Sequence, residues 1–300
     1  MDDLLLPTTV VGSYPAVFPK GVLARLSPHR AALKIAVEDQ IAAGIDIISD
    51  GQVRGDMITS ITEHLPGIRD QTVVGPVSPP GRFLTVPDTR YALSRHPKVK
   101  GILTGPSTLA HALKIKSPVY RDRQELIPDI ARALAREAKA LEGAGVAILQ
   151  VDEPILSTGA AEIDTGREAI TLITRELAVP TCLHVCGALE QVIDALLKFD
   201  VDILDFEFAC NPANLGIVSA REIGKKSIGF GVIDTTSREV ESVEVIRKRI
   251  EHAVAVFGPS RLLIDPDCGL RMHARKKAWG KLSHMVEACR SVRSDLLAEK

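Results

Sequence analysis

The chain has 300 residues, enough to bury a large core as two modest domains or as one α/β barrel of ~250 residues. Its 37 Lys and Arg against 38 Asp and Glu leave a formal net charge of -1, which gives no electrostatic reason to expect nucleic acid or an anionic membrane as a partner. The start Met1-Asp2-Asp3 is acidic where a secretory signal is basic, Pro7 stops the run Leu4-Leu5-Leu6, and no apolar stretch approaches the ~18 residues of a membrane span, so the expected location is the cytoplasm. Cys182, Cys186, Cys210, Cys268 and Cys289 make an odd count, better read as metal ligands or buried small hydrophobes than as a disulfide framework.

Taken in chain order, short β-branched runs at 8–11, 46–49, 100–104, 146–151, 181–185, 201–206, 227–231 and 262–264 predict eight strands. Each is followed by a segment that can be helical, the pattern of a single (β/α)₈ barrel spanning residues 1–300. Ser27 as a cap and Pro28 at the first helical position precede Leu33, Val37 and Ile41, and Gly44 closes that helix. Ile130, Leu134, Ala138 and Leu141 form a second stripe before Gly143-Ala144-Gly145, and Ile246, Ile250, Val254 and Phe257 a third before Gly258-Pro259. Residues 61–98 are rich in Pro, Gly and Thr and show no helical period. They predict an extended insertion or hairpin after the second strand, on the barrel rim.

A packed barrel carries its chemistry at the C-terminal ends of its strands. Those positions hold Gly12-Ser13-Tyr14, Asp50-Gly51-Gln52, Gly105-Pro106-Ser107, Asp152-Glu153-Pro154, His184-Val185-Cys186-Gly187, Glu207, Asp234-Thr235-Thr236 and Asp265-Pro266-Asp267-Cys268-Gly269. The opposite ends carry helix stops and solvated charge. His184 and Cys186 are two apart on a strand and so project to the same side. Alone, this pair also suits a buried strand with a hydrogen-bonded histidine. Cys268 and Glu207 on the same face complete a set that favours Zn²⁺ over Mg²⁺ or Ca²⁺. Cys182 shares the parity one layer deeper and reads as core filler. Cys210 is a spare ligand or packing residue, and Cys289 is structural. Two thiolates and a carboxylate disfavour activation of water; an electron-rich zinc instead lowers the pKa of an incoming thiol from ~8.5 and leaves it nucleophilic, with Glu207 the ligand that yields.

Six segments carry a resemblance: Thr9-Val10-Val11-Gly12-Ser13-Tyr14-Pro15, Leu103-Thr104-Gly105-Pro106, Gln150-Val151-Asp152-Glu153-Pro154, His184-Val185-Cys186-Gly187, Asp205-Phe206-Glu207 and Pro266-Asp267-Cys268-Gly269-Leu270. Spread over nearly the whole chain, they resemble the catalytic C-terminal half of cobalamin-independent methionine synthase, and within it the short single-barrel form of archaea and some bacteria. The resemblance implies zinc-dependent methyl transfer to homocysteine. Ser13 and Asp152 would hold the amino-acid end of homocysteine, with Gln52 standing where the family has a substrate-binding glutamate. Catalytic roles would fall to Asp152 and to Asp234, in the stretch equivalent to the family's Tyr-Asp-x-His-Ser. The family's second, N-terminal barrel has no counterpart here. Ala112 stands where the family's folate-stacking tryptophan falls, and Thr236 where its proton-donating histidine falls. A leaving folate nitrogen needs a proton and a leaving cob(I)alamin does not, so these departures lead to the expectation of methylcobalamin or a methylated corrinoid protein as methyl donor. Two alternatives are a corrinoid-dependent methyltransferase to another thiol of the coenzyme M kind, and a non-catalytic zinc-binding accessory subunit.

Overall fold

The computed structural model describes residues 4–18 and 27–298; the acidic start at residues 1–3 lies outside them. The barrel opens with β1 at residues 8 and 9, whose bridges run parallel to Ile264 and Ile47. Next come α1 (Pro28–Ala43), β2 at residues 47 and 48, and α2 (Val86–Leu93). Then follow β3 (Lys100–Thr104), α3 (Pro106–Ala112), α4 (Arg123–Ala144), β4 (Ile148–Asp152) and α5 (Ile163–Thr174). The second half holds β5 (Thr181–Val185), α6 (Ile193–Leu196), β6 (Ile203–Glu207) and α7 (Ala213–Ser219). It ends with β7 (Ser227–Ile233), α8 (Val243–Phe257), β8 (Leu262–Pro266) and α9 (Arg275–Ala298).

Strands β3 to β8 pair in sequence, all parallel. Bridges from Ile48 to Val99, Ile47 to Thr9 and Thr8 to Ile264 close the ring through β2 and β1. The structure is therefore the predicted eight-stranded barrel, with the first two strands reduced to single bridges.

The two-residue period of each strand divides its side chains between two cores. Leu149, Val151, Leu183, Val185, Leu204 and Phe206 point outward into the layer between strands and helices. Ile47, Ile148, Cys182, Ile203 and Leu263 point inward and plug the barrel. Cys182, 3% exposed, is part of that plug. The helical stripes cover the outside: Ile130, Leu134, Ala138 and Leu141 of α4 are all buried, and Gly145 ends that helix at φ 98°. Pro28 takes the first turn of α1 and Gly44 its left-handed end, while the Ser27 side chain makes no capping bond. No helix among the described residues is long and apolar enough to cross a membrane.

The segment after β2 differs from expectation. Of the two forms expected, an extended insertion or a hairpin, it contains a hairpin (Ile68–Arg69 with Thr72–Val73), but it then forms helix α2, which neither foresaw. Thr72–Val73 also pairs in parallel with Lys114–Ile115, just after α3. No apolar period announces α2, because its first turn is held from outside: Glu137 of α4, 4% exposed, accepts hydrogen bonds at one carboxylate oxygen from Leu84 N, Thr85 N, Thr85 Oγ1 and Val86 N at 2.9, 2.7, 2.9 and 3.2 Å.

Candidate metal centre and substrate cavity

Parallel register puts Thr104, Asp152, His184, Asp205 and Gly229 in one row across β3 to β7. Thr104, Asp152, His184 and Asp205 are each no more than 5% exposed. Polar groups in that row require space. A Cβ on Gly229 would lie 2.7 Å from the Asp205 Cβ, and a Cβ on Gly231 would lie 2.2 Å from Asp267 Oδ1. Two glycines in β7 thus admit two carboxylates from neighbouring strands.

His184, Cys186 and Cys268 meet at the barrel mouth, each offering one ligand atom within 4.8 Å of the others; among the described residues they are the one such group. Ligands of a tetrahedral zinc with bonds of ~2.0–2.3 Å lie roughly 3.3–3.8 Å apart, inside that spread. Both ring nitrogens of His184 are buried without a well-formed hydrogen bond, although Nδ1 lies 3.3 Å from Asp205 Oδ1. Burial alone would lower the His184 pKa, and the Asp205 charge overrides it and raises it. The neighbouring Cys268 holds the Cys186 thiol up, and Cys186 together with His184 brings Cys268 down. A buried imidazole beside a thiolate and a thiol that ionises on coordination is a donor set suited to zinc.

Glu207 is not part of that trio. Its carboxylate accepts a hydrogen bond from Asn211, and its pKa is raised by burial and by neighbouring Asp267 and Cys268. Asp267, to which the sequence reading gave no role, accepts from the backbone N–H groups of Phe208, Ala209 and Cys210 at 3.0, 2.9 and 2.6 Å. It therefore shapes the loop that follows Glu207. The Cys210 thiol also donates to Asp267, which makes Cys210 part of that loop anchor.

A cavity of about 330 Å³ opens over the trio. Ser13, Gln52 and Asp152 line it beside His184, Cys186 and Cys268. Gln52 sits in the left-handed region at φ 46°, held in a turn where Asp50 accepts from its backbone N–H. Asp152 accepts from Gln150 Nε2 at 2.6 Å, and burial pushes its carboxyl up to about 6. Met57, Ile61, Leu84 and Thr85 also line the cavity, with Arg54 and Asp88 in a bidentate pair at 2.7 and 2.6 Å. Asp50 lines the same cavity, its carboxyl also raised by burial to about 6. Glu153, next to Asp152, points away. Its buried carboxylate accepts from Ser107 N, Thr108 N and Thr108 Oγ1 and caps α3.

Asp234, expected to be catalytic, closes its own turn in this structure. Its Oδ1 accepts from Thr236 N, Thr236 Oγ1 and Ser237 N, and it is absent from the cavity lining. Thr236 and Ala112 are not among the residues that line this cavity.

A match to the family described as Cobalamin-independent synthase, Catalytic domain, spans residues 6–291. A methionine synthase of Methanothermobacter marburgensis (strain Marburg) is 43% identical over 305 residues, covering 94% of this chain and 98% of the relative. One from Saccharolobus islandicus is 30% identical over 326 residues, covering 97% and 96%. The fold is similar to that of a B12-independent methionine synthase from Shewanella sp. W3-18-1, solved in complex with selenomethionine, with a TM-score of 0.84, 27% identity and coverage of 98% of this chain and 100% of that one. These matches overturn the expectation of methylcobalamin or a corrinoid protein as donor, since the family is cobalamin-independent. The corrinoid-dependent alternative with a coenzyme M-like thiol falls with it, and so does the non-catalytic accessory role. The chain belongs to the cobalamin-independent methionine synthase family and is a methyltransferase of that type.

Proposed function

We propose that this protein methylates homocysteine to methionine in the cytoplasm, with Zn²⁺ held by His184, Cys186 and Cys268 and a donor of the methyltetrahydrofolate type. One observation carries the reading: three soft metal donors and a buried carboxylate, Asp152, face the same cavity. Zinc bound there would lower the pKa of an incoming thiol while leaving the sulfur nucleophilic.

The remaining work belongs to side chains. Asp152, ionised, accepts the ammonium group of homocysteine, and Ser13 and Gln52 supply hydrogen-bonding groups for its amino-acid end. Glu207 flanks the metal donors and would be the oxygen ligand that completes the set when zinc is bound. In the transfer a sulfur–carbon bond forms as the nitrogen–carbon bond of the donor breaks. The thiol gives up a proton and the departing nitrogen takes one, so an acid must stand at the donor side. We assign that role to Asp50, a cavity-lining carboxyl that burial raises to about 6; Asp152, raised to a similar value, is the one that the ammonium of the substrate would keep ionised.

The test is methionine formation from homocysteine and methyltetrahydrofolate, with zinc removed by a chelator and then restored. Activity that disappears and returns with zinc supports the reading. Zinc-replete protein that yields no methionine refutes it.

A further inference from the structure

Beneath the cavity the barrel holds a cation that the chemistry above does not use. Lys100, at the start of β3, is 2% exposed, and its side chain lies inside the barrel beside that of Gln150, which is fully buried. Lys100 Nζ donates to Gln150 Oε1 at 2.7 Å. From its other end, Gln150 Nε2 donates to Val11 O at 2.7 Å and to Asp152 Oδ1 at 2.6 Å.

The partners leave this amide one orientation. Val11 O and the Asp152 carboxylate are acceptors, so the NH₂ end must face them. The ammonium is all donor, so the oxygen must face Lys100. A flip would set oxygen against carboxylate and NH₂ against ammonium, breaking three hydrogen bonds and creating repulsion at both ends.

We propose that Lys100 and Gln150 are positioning residues for the methyl acceptor: the buried ammonium locks the Gln150 amide, and the amide holds Asp152 where it meets the amino group of the substrate. The bond to Asp152 comes from below, leaving the carboxylate's remaining lone pairs to the cavity. Because the same amide holds Val11 O, it also ties Asp152 to the strand end that carries Ser13, the other residue at the amino-acid end. The assignment of the acceptor rests on the homocysteine reading; the geometry of the relay does not.

The experiment uses the zinc-loaded full chain with Lys100→Met and Gln150→Glu. A crystal structure of Lys100→Met reads the relay directly. Val11 O and Asp152 fix which way the amide faces, but only Lys100 and a weak 3.8 Å contact from Cys182 Sγ hold its oxygen end in place. The expected result is therefore an amide displaced from Asp152; an amide still at its wild-type distance from Asp152 overturns the relay, whatever the substrate. Calorimetric titration with L-homocysteine reads the consequence, a Kd at least ~10-fold weaker with zinc content unchanged. In kinetics, KM for homocysteine should rise by more than kcat falls. Gln150→Glu serves if Lys100→Met does not fold, because it keeps an acceptor for Lys100 while removing the donor to Asp152. The same loss of affinity is expected there, and wild-type affinity in either folded variant overturns the proposal. If the unmutated protein binds no homocysteine, the functional reading fails while the crystallographic result still decides the relay.

Discussion

Glu137→Ala removes the single oxygen on which Leu84 N, Thr85 N, Thr85 Oγ1 and Val86 N converge. A hydrogen bond to a charged acceptor contributes ~1.5–3 kcal/mol, but four donors crowding one oxygen do not add. Thr85 is only half-buried, so part of what is freed reaches water, and removing a buried carboxylate recovers some desolvation cost. Glu137 acts at the first turn of α2 as an N-cap does, and loss of an ordinary cap alone costs ~1 kcal/mol, which sets the lower end. The expected total is about 3 kcal/mol, or roughly 6 °C in Tm for a chain of this size. Glu137→Gln keeps a carbonyl oxygen and loses only the charge, and should cost about 1 kcal/mol. Urea unfolding of the three proteins gives both numbers. Leu84 and Thr85 line the cavity, so the alanine variant should also raise KM for the methyl donor more than KM for homocysteine. A cost below ~1 kcal/mol for the alanine variant, or equal costs for both, would refute the argument that this carboxylate holds the cavity wall.

Three further outcomes are expected. Cys186→Ser and Cys268→Ser should each abolish zinc retention through gel filtration, measured by elemental analysis, whereas Glu207→Gln should keep the metal with reduced affinity; full occupancy in either serine variant contradicts the assignment. Gly231→Ala places a methyl 2.2 Å from Asp267 Oδ1 and disturbs the three backbone bonds that shape 208–210, at a cost of ~2–4 kcal/mol in urea unfolding. A cost under ~0.5 kcal/mol would show that the loop does not depend on that carboxylate. Burial raises the Asp50 carboxyl from 3.8 to about 6, so the folded protein binds this proton more tightly than the unfolded chain does. The stability from that proton is fully present below the unfolded value and is lost as pH rises through the folded one. Relative to wild type, Asp50→Asn should therefore gain on the order of 2 kcal/mol between pH ~4 and pH ~7, and a pH-independent difference would contradict the raised value.

The barrel was legible in the sequence because alternation and helical period are local signals. Residues 181–185 alternate between an inward set and an outward set, which reappears as two separate cores, and the α4 stripe repeats every three or four residues and reappears in the burial. The metal trio was legible for the same reason: a strand parity fixes which side chains reach the mouth. Helix α2 was not, because what holds its first turn is Glu137, about 50 residues further along the chain. The turn closed by Asp234 was not legible, because a strand-end aspartate that bonds within its own turn looks, in sequence, like one that faces a ligand. Asp267 and Gln150 carried a readable signal that went unused. Each shares the inward parity of a strand otherwise filled with apolar residues, and a polar residue at such a position must have a partner.

Two sets of residues that line the cavity have separate origins in the chain. Asp152, His184, Cys186 and Cys268 are set by strand register, where a one-residue slip would turn each side chain to the opposite face. Met57, Ile61, Leu84 and Thr85, which line the same cavity, hang instead on a hairpin, one short helix and one distant carboxylate. The two sets of lining residues are thus under different mechanical control. Exchanging residues 57–93 between relatives should reshape that part of the cavity and leave His184, Cys186 and Cys268 in place, so one half of the pocket can vary without the other being rebuilt.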